Sequence, residues 1–310
     1  MSLDLTLWQS RFADWMTLRQ WSRRTIDNYT AELRPFFEFL QAEGVDELAA
    51  LTRDTIEGYR THLFYATYRG RPISLRTQAI RLNSIKRFTA FLVAADFLLI
   101  DPGAQVPLPR TPPALPRPIL SERETEIVLE SPDVTTPLGI RDRAMLEVFY
   151  SCAIRNSELR ALALEDVDLE ERRLRVRRGK GDKSRVVPMG EEAALWVREY
   201  LAHGRPYLVR RLGEATLFLT FYGQAFTRVG LARLVADIAR KAGMDKAVGP
   251  HLLRHACATH MLRRGASVRH LQELLGHVAL SSTQRYTRVE IGDLQRVHSR
   301  CHPRERGRRR

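Results

Sequence analysis

The chain of 310 residues lacks the features that mark secreted, metal-binding or membrane proteins. Its three cysteines stand far apart and without Cys-X-X-Cys spacing, which excludes a disulfide framework and a zinc ribbon and is typical of a reducing cytoplasm. The apolar stretch 91–100 is interrupted by Asp96 and is too short to span a bilayer. No basic segment followed by an apolar run opens the chain, so no signal peptide is expected. These absences predict a soluble intracellular protein.

Lysine is also scarce, with five among the 50 basic residues, so the positive charge is almost entirely guanidinium. Only 36 acidic residues oppose it, which leaves a formal net charge of +14 and a pI of about 10.3. This excess favours a polyanionic partner, nucleic acid above all, because arginine forks match phosphate oxygens bidentately. Charge alone leaves open a basic protein of unrelated function.

Signatures of nucleotide and metal chemistry are missing as well. No Gly-rich Walker loop occurs, so nucleotide-driven chemistry is not expected. No acidic or Cys ligand stands at metal-ligand spacing from the histidines. We therefore expect neither a cofactor nor a metal.

The first hundred residues predict a small helical domain. Apolar residues recur there at helical spacing, Thr25 is the expected N-cap of the second helix, and Gly44 ends it. The four helices are expected over residues 5–16, 25–44, 52–68 and 74–92. Basic residues lie between the apolar stripes and are either solvated surface or phosphate contacts: Arg23, Arg24, Arg53, Arg60, Arg69, Arg71, Arg76, Arg81, Lys86 and Arg87.

A proline-rich segment, 101–118, predicts a semi-rigid linker. It holds seven of the fifteen prolines, which block regular helix and stiffen the chain. It separates the helical domain, 1–100, from a larger domain, 119–302. The basic tail, 303–310, is expected to be disordered.

The larger domain mixes helices with a β-hairpin. Ser121 and Glu124 form a capping-box pattern, and a buried helix is expected over 140–152. Alternating runs joined by the Gly-rich turn 178–183 predict a hairpin. The run 217–220 is either a strand or simply core. The hairpin strands are expected over 174–177 and 184–188, and further helices over 191–203, 229–242 and 289–302.

The stretch 250–287 concentrates the residues that can do chemistry. Pro250 suits a first helical turn, and His251 and Arg254 then project from one face of that helix. Gly276 is a good helix-ending residue, which places His277 in the following turn. Tyr286 lies on the next short helix.

These side chains could cleave a phosphodiester without a metal. Such a reaction needs cations on the phosphate oxygens, a nucleophile, and an acid for the departing alkoxide. Arg155 and Arg254 are the candidate cations, since they stay charged at any working pH. The remaining candidates are Tyr286 as nucleophile, His251 as its base, His277 as a donor to a phosphate oxygen, and Lys180 as the acid.

Each candidate also has a purely structural interpretation. Arg155 could simply pair with Glu158, the Gly-Lys-Gly turn around Lys180 could be only a turn, and Tyr286 could be a core residue. We interpret the remaining histidines of this region, His255, His260 and His270, as hydrogen-bonded core groups.

Five motifs in one order resemble the tyrosine recombinase (phage integrase) family, and most closely its Xer-like bacterial branch. They extend over about 130 residues, and the helical segment and linker carry the resemblance over essentially the whole chain. Relatives commonly have Gly in place of Ala153 and an apolar residue in place of Asn156. The motifs are Ala153–Leu159, Gly179–Gly181, His251–His255, Leu274–His277 and Tyr286.

The resemblance implies a mainly α fold with a small β-hairpin or sheet. It comprises an N-terminal four-helix SAM-like DNA-binding domain and a C-terminal mixed α/β catalytic domain. The implied activity is site-specific recombination through a 3′-phosphotyrosine and a Holliday junction, by a tetramer on double-stranded DNA and without ATP or metal. A second recombinase or an accessory protein could take part, and the biological role is either dimer resolution or the integration and excision of a mobile element.

The resemblance also assigns roles to single residues. Arg155 and Arg254 bind the scissile phosphate, and Glu158 is a supporting acid that orients active-site groups. The other roles are Lys180 as general acid for the 5′-hydroxyl, His251 in proton transfer, His277 in transition-state stabilisation and Tyr286 as nucleophile.

Two other functions fit the same residues. One is an architectural DNA-binding protein that has lost catalysis, and the complete set of candidate residues argues against it. The other is a type IB topoisomerase-like enzyme, which shares the phosphotyrosine chemistry.

Overall fold

Helices dominate both parts of the chain. The computed structural model describes residues 3–110, 119–177, 184–276 and 291–305. The chain divides into two units, Met1–Leu115 and Pro116–Arg310. No helix among the described residues is long and apolar enough to cross a membrane.

The described part of the first unit contains five helices and a two-stranded hairpin. The third and fourth helices begin where expected, and Thr52 and Ser74 cap them by accepting a hydrogen bond from the backbone N–H three residues on. The elements are α1 (Leu5–Leu18), α2 (Arg23–Ala31), α3 (Arg34–Ala42), α4 (Arg53–Tyr65), β1 (Thr67–Tyr68), β2 (Arg71–Pro72) and α5 (Leu75–Ala94).

The single helix predicted over 25–44 is wrong, because two helices occupy it. Proline at position 35 cannot donate to the carbonyl of Ala31, and its ring clashes with that carbonyl, so the chain breaks between α2 and α3. The predicted N-cap is wrong too: Ser22 caps α2 and accepts from the Thr25 N–H at 3.1 Å. The described part of the unit therefore has five α-helices where four helices were expected.

Aromatic rings fill the core of the first unit. Trp8 of α1 meets Phe88 of α5 edge to face at 6.3 Å, and both rings are fully buried. Part of the proline-rich segment packs on the same unit, since Lys86 Nζ donates to the carbonyls of Ala104 and Val106 at 2.9 and 2.7 Å. Residues 101–110 are thus fixed to α5, and 111–118 lie outside the described residues.

The second unit combines helices with a three-stranded antiparallel sheet. The predicted hairpin is confirmed, with Leu174 opposite Val187 in the register of β4 and β5, and so is the capping box of Ser121 and Glu124. The elements are α6 (Glu122–Glu130), α7 (Pro137–Ser151), α8 (Asn156–Arg160), β3 (Val167–Asp168), β4 (Arg173–Val176), β5 (Arg185–Pro188), α9 (Glu191–Glu199), α10 (Arg228–Lys241), α11 (Pro250–Arg263), α12 (Val268–Leu275) and α13 (Ile291–Cys301).

Helix α7 is the centre of this unit, as its apolar run predicts. Eleven of its fifteen residues are buried, and it packs against α6, α9 and α11. The run 217–220 belongs to the core, with an isolated bridge from Leu219 to Ala225. The mainly α fold with a small antiparallel sheet is therefore confirmed.

The C-terminal segment is more ordered than its composition predicts. Disorder was expected from residue 303 onward, but Pro303–Glu305 forms a turn after α13. Arg304 donates to the buried carboxylate of Glu147 at 2.6 Å, and Glu305 lies 3.0 Å from His298 Nδ1. The expectation is wrong for these residues because composition does not reveal their buried partners, one of which, Glu147, lies 157 positions away in the sequence. Residues 306–310 are outside the described part of the chain.

Candidate active site

Arg155 stands where the buried α7 gives way to the short α8. The turn between them needs Ala153 at a φ of +47°, in the left-handed region that favours glycine. Arg155 is the N-cap of α8, and its backbone N–H donates to Glu158 Oε2 at 2.8 Å. The local fold therefore projects Arg155 from a helix start and fixes Glu158 one turn later.

A second arginine shares the Glu158 carboxylate with Arg155. Arg155 Nη1 donates to Glu158 Oε1 at 2.8 Å. Arg185, the first residue of β5, donates from Nη1 and Nη2 to both carboxylate oxygens at 2.8 and 2.9 Å. The structural interpretation of Arg155 as a partner of Glu158 is thus correct, and the same contact orients its guanidinium.

Arg254 reaches the same place from α11. Pro250 opens this helix as predicted, and Arg254 follows one turn into it. Its Nη1 donates to the carbonyl of Ala153, and its Nη2 to that of Leu275 at 2.7 Å. Arg155 Nη2 donates to the neighbouring carbonyl of Gly276 at 3.3 Å. The two arginines that the sequence singled out therefore meet at the C-terminal end of α12.

We call Arg155, Arg185, Arg254 and Glu158 the cationic cluster. Its three guanidinium groups face one carboxylate, which leaves a formal surplus of two positive charges. Burial alone would raise the pKa of Glu158, but hydrogen bonds from Arg185 and from the backbone and side chain of Arg155 lower it to about 2. Glu158 is therefore ionised at neutral pH, and it cancels only part of the cluster's charge.

Arg254 has little contact with solvent and lies beside other cations. Desolvation by burial, followed by repulsion from Arg155, lowers the pKa of Arg254 to about 10. It stays protonated at neutral pH, but in an environment that lacks a full counter-charge. A nearby anion would relieve this imbalance, which is the electrostatic property of an anion-binding site.

Arg155 can present donors to such an anion. Its side chain is 35% exposed, and two of its five N–H groups are used by Glu158 and Gly276. A phosphate oxygen is a suitable acceptor, because charge-assisted hydrogen bonds to planar guanidinium groups are short and directional. The arrangement can bind a phosphodiester and stabilise the charge that develops on its oxygens during attack.

The histidines of α11 divide between solvent and core. His251 is exposed in the first turn of the helix, one turn before Arg254. His260 is buried and bonds the Tyr150 hydroxyl and the Leu120 carbonyl, both at 2.8 Å, so its predicted structural role is confirmed. The same prediction is wrong for His255, which is exposed.

His270, on α12, is also no core group. It is half-buried, and its Nδ1 lies 2.5 Å from Ser267 Oγ at the start of the helix. The core interpretation fails here because the helix places this ring at its own N-terminal edge.

Three predicted site residues lie outside the described part of the chain: Lys180, His277 and Tyr286. Gly276 is the last described residue before His277, and its carbonyl accepts the hydrogen bond from Arg155. The roles of the three residues stay predictions.

Arg185 is the member of the cluster that the sequence analysis missed. A signal for it existed in the hairpin, because side chains alternate between the two faces of a strand. Arg185 shares a face with the buried Val187, whereas Val186 between them is exposed. A charged residue on the inward face of a strand requires a buried partner, and that partner is Glu158.

Comparison with known proteins matches both units to one family. Residues 119–291 match the Phage integrase family, and residues 11–96 match the Phage integrase, N-terminal SAM-like domain. Tyrosine recombinase XerC 2 of Ralstonia nicotianae is 41% identical over 304 residues, which cover 97% of this chain and 87% of the relative. Tyrosine recombinase XerD of Pseudomonas putida is 41% identical over 283 residues, which cover 91% and 92%.

Solved structures share the fold at low sequence identity. A lambda integrase (75–356) dimer bound to a COC′ core site has a TM-score of 0.68 at 16% identity and covers 94% of this chain and 100% of its own. The XerH site-specific recombinase bound to a difH substrate has a TM-score of 0.66 at 20% identity and covers 91% and 78%. These likenesses show that both proteins have the fold of this chain.

Proposed function

Because the chain belongs to the phage integrase family of tyrosine recombinases, it is a site-specific DNA recombinase, and we propose how its residues carry out the reaction. One strand of the DNA is cleaved through a 3′-phosphotyrosine intermediate and then rejoined to a partner strand. The observation that supports this most directly is the cationic cluster, in which Arg155 and Arg254 meet with an uncompensated positive charge.

In the cleavage step, the phenol oxygen of Tyr286 attacks the scissile phosphorus as the bond to the 5′-oxygen breaks. His251 accepts the phenol proton, and Lys180 supplies a proton to the departing 5′-oxygen, which leaves as a 5′-hydroxyl. Arg155 and Arg254 bind the non-bridging oxygens, and His277 donates to one of them. Glu158 orients Arg155.

The joining step reverses these roles. The phosphotyrosine keeps the energy of the phosphodiester, so an incoming 5′-hydroxyl can attack it and release Tyr286 without a nucleotide or a metal. Two such exchanges make and resolve a Holliday junction within a tetramer. The tetramer consists of this chain alone or includes a second recombinase.

We further propose that the two domains divide the work on DNA. Residues 1–100 form a SAM-like domain that clamps double-stranded DNA, 101–118 link it to the catalytic domain, 119–302, and 303–310 are the tail. In support, Arg69, Arg71 and Arg76 are exposed around the hairpin of the first unit, where they can neutralise phosphates. The protein would act in the bacterial cytoplasm, on the nucleoid.

The decisive experiment uses nicked suicide duplexes built from sequence flanking the gene, with a random duplex as control. A nick just 3′ of the cleavage point lets the short fragment that carries the new 5′-hydroxyl diffuse away, so the covalent adduct accumulates. We expect the wild-type protein to form an adduct that survives denaturation and Tyr286→Phe to bind the same DNA without forming one.

Tyr222→Phe is the matched control, since it removes the hydroxyl of another tyrosine in the second unit, whose ring is exposed. It should form the adduct at the wild-type rate. An adduct in Tyr286→Phe would refute the assigned nucleophile. Specific binding by the wild type without any adduct would contradict the cleavage mechanism and favour an architectural role.

A further inference from the structure

Arg185 occupies an unusual position for a charged residue at the start of a strand. Its side chain is only 8% exposed, and it is directed at Glu158, 27 positions earlier in the chain, with two hydrogen bonds of 2.8 and 2.9 Å. A bidentate arginine–carboxylate pair of this kind is directional as well as strong. The start of β5 is therefore locked to the first turn of α8.

The Glu158 carboxylate accepts two hydrogen bonds from Arg155 and two from Arg185. Its Oε1 accepts from Nη1 of Arg155 and from Nη1 of Arg185, and its Oε2 accepts from the backbone N–H of Arg155 and from Nη2 of Arg185. Each oxygen thus serves both arginines. Arg155 receives only a fraction of the carboxylate's hydrogen-bonding capacity and keeps donors for another anion.

Loss of Arg185 would change this division. Glu158 would remain buried among fewer donors, and its freed lone pairs would turn to the nearest guanidinium, that of Arg155. A closer pair would neutralise Arg155 and draw it toward Glu158, away from an incoming phosphate. Arg185 itself is too buried to contact DNA, so its influence on the reaction must pass through Glu158.

We propose that Arg185 is a positioning residue for strand cleavage, which holds the guanidinium of Arg155 ready for the scissile phosphate by sharing Glu158 with it. This inference rests on the proposed function, in which Arg155 binds that phosphate. It assigns a role to a residue outside the six predicted catalytic side chains.

Arg177 provides a matched control at the same end of the hairpin but on the other strand, next to Val176, which pairs with Arg185. It follows β4 directly, and it pairs with Glu165 and with Asp166, the latter at 2.6 Å. Replacing it removes an arginine and two ion pairs from the hairpin, but none of the contacts to Glu158. A general weakening of the hairpin should therefore appear in Arg177→Ala as well.

The test compares single-turnover adduct formation on two suicide duplexes, one with a normal scissile phosphate and one with a neutral methylphosphonate in its place. The neutral group has less need of a guanidinium. A variant that is slow because it fails to neutralise the phosphate should therefore lose less of its cleavage rate on the methylphosphonate than on the normal phosphate. The proteins are the wild type, Arg155→Ala, Arg185→Ala, the double variant and Arg177→Ala.

We expect Arg185→Ala to slow cleavage of the normal phosphate by about 10-fold, less than the roughly 100-fold typical of removing a donor that contacts the reacting group. On the methylphosphonate, the defects of Arg185→Ala and Arg155→Ala should both shrink. The double variant should cleave no more slowly than Arg155→Ala, because residues that act through one group are not additive. Arg177→Ala should affect both substrates equally.

An equal defect of Arg185→Ala on the two substrates, or a double variant slowed by the product of the single effects, would overturn the proposal. Arg185→Lys keeps the charge without the planar fork, and it should show the same selective relief if the alanine variant does not fold. A wild-type protein that forms no Tyr286-dependent adduct would refute the proposed function itself. A normal wild-type adduct with no substrate-selective effect would refute only the role of Arg185.

Discussion

Two arginine–carboxylate clusters of the second unit contain the same kinds of residue in opposite proportions. In the cationic cluster, Arg155 and Arg185 pair with one carboxylate, Glu158, and Arg254 adds a third guanidinium beside them. In the second cluster, which we call the acidic pocket, Arg304 enters among four carboxylates at 2.6 to 3.9 Å. These carboxylates are Glu126, Glu130, Glu147 and Glu192.

The ion pairs of the acidic pocket hold the C-terminal segment in the fold. Glu147 on α7 is fully buried and bonds both Arg304 and Arg143, the latter at 3.1 Å. The Arg304 side chain is 14% exposed, against 35% for Arg155. Negative charge is in excess, so every guanidinium has an acceptor and an external anion would be repelled.

The comparison shows what distinguishes an arginine that binds substrate from one that holds the fold. Both clusters are largely buried and contain hydrogen-bonded ion pairs, so burial and pairing alone do not separate them. The two clusters differ in the sign of their surplus charge and in the exposure of one guanidinium. By these criteria we propose that Arg155 belongs to a binding site, whereas Arg304 anchors the C-terminal segment to α7.

Among the arginine substitutions, the largest effect on the reaction is expected from Arg254→Lys. Lysine keeps the charge, but it cannot contact the Ala153 and Leu275 carbonyls and a phosphate oxygen with one planar fork. Single-turnover cleavage should fall by about 100-fold or more, as for other preorganised donors. A rate within threefold of the wild type, in a protein of unchanged melting temperature, would contradict the assigned role.

The largest effect on stability is expected from Arg304→Ala. This change leaves Glu147 buried with Arg143 as its remaining described partner. The free energy of unfolding should fall by about 3 kcal/mol, the usual result of breaking a buried ion pair. Urea denaturation of the full chain measures it. Arg300→Ala, at an exposed position of α13, should change it by less than about 0.5 kcal/mol.

A pH dependence should identify the stabilisation that comes from Glu158. Its pKa is lowered to about 2 in the folded protein, so its contribution is present above the unfolded-state pKa, about 4.3, and is lost as the pH falls toward 2. The difference in unfolding free energy between the wild type and Glu158→Gln should therefore shrink over this range. A difference that is constant or grows on acidification would show that the carboxylate charge is not stabilising.

The smallest effect is expected from Ala153→Gly. Ala153 is buried at a φ of +47° and gives its carbonyl to Arg254. Glycine adopts this conformation without steric cost but loses more entropy on folding. Melting experiments should show a net change within about 1 kcal/mol, and cleavage should be unaffected. A large loss of either would mean that the alanine methyl has a packing role.

The sequence predicted those parts of the fold that local signals encode. The helix starts near Thr52 and Ser74 and the capping box of Ser121 were correct because each side chain bonds the backbone of its own first helical turn. The break at Pro35 was missed because the apolar spacing continues across it and outweighed the missing donor. Periodicity alone cannot tell one long helix from two that expose the same face to a core.

The sequence did not predict the ion pairs between residues that lie far apart in the chain. Arg155 and Arg254 were found through their motifs, although their meeting depends on the folded path of the chain. Arg185 and Arg304 were missed because their carboxylate partners lie 27 and 157 positions away. Composition made Arg304 part of a disordered tail, whereas in the structure it pairs with the buried Glu147 on α7 and lies among three further carboxylates.

The most direct test of the central claim is to map the covalent bond between protein and DNA. Wild-type protein trapped on a suicide duplex would be digested with protease and nuclease, and the modified peptide sequenced by mass spectrometry. We predict a nucleotide joined through its 3′-phosphate to Tyr286, with a free 5′-hydroxyl on the released strand. Attachment to another residue, or through a 5′-phosphate, would contradict the mechanism.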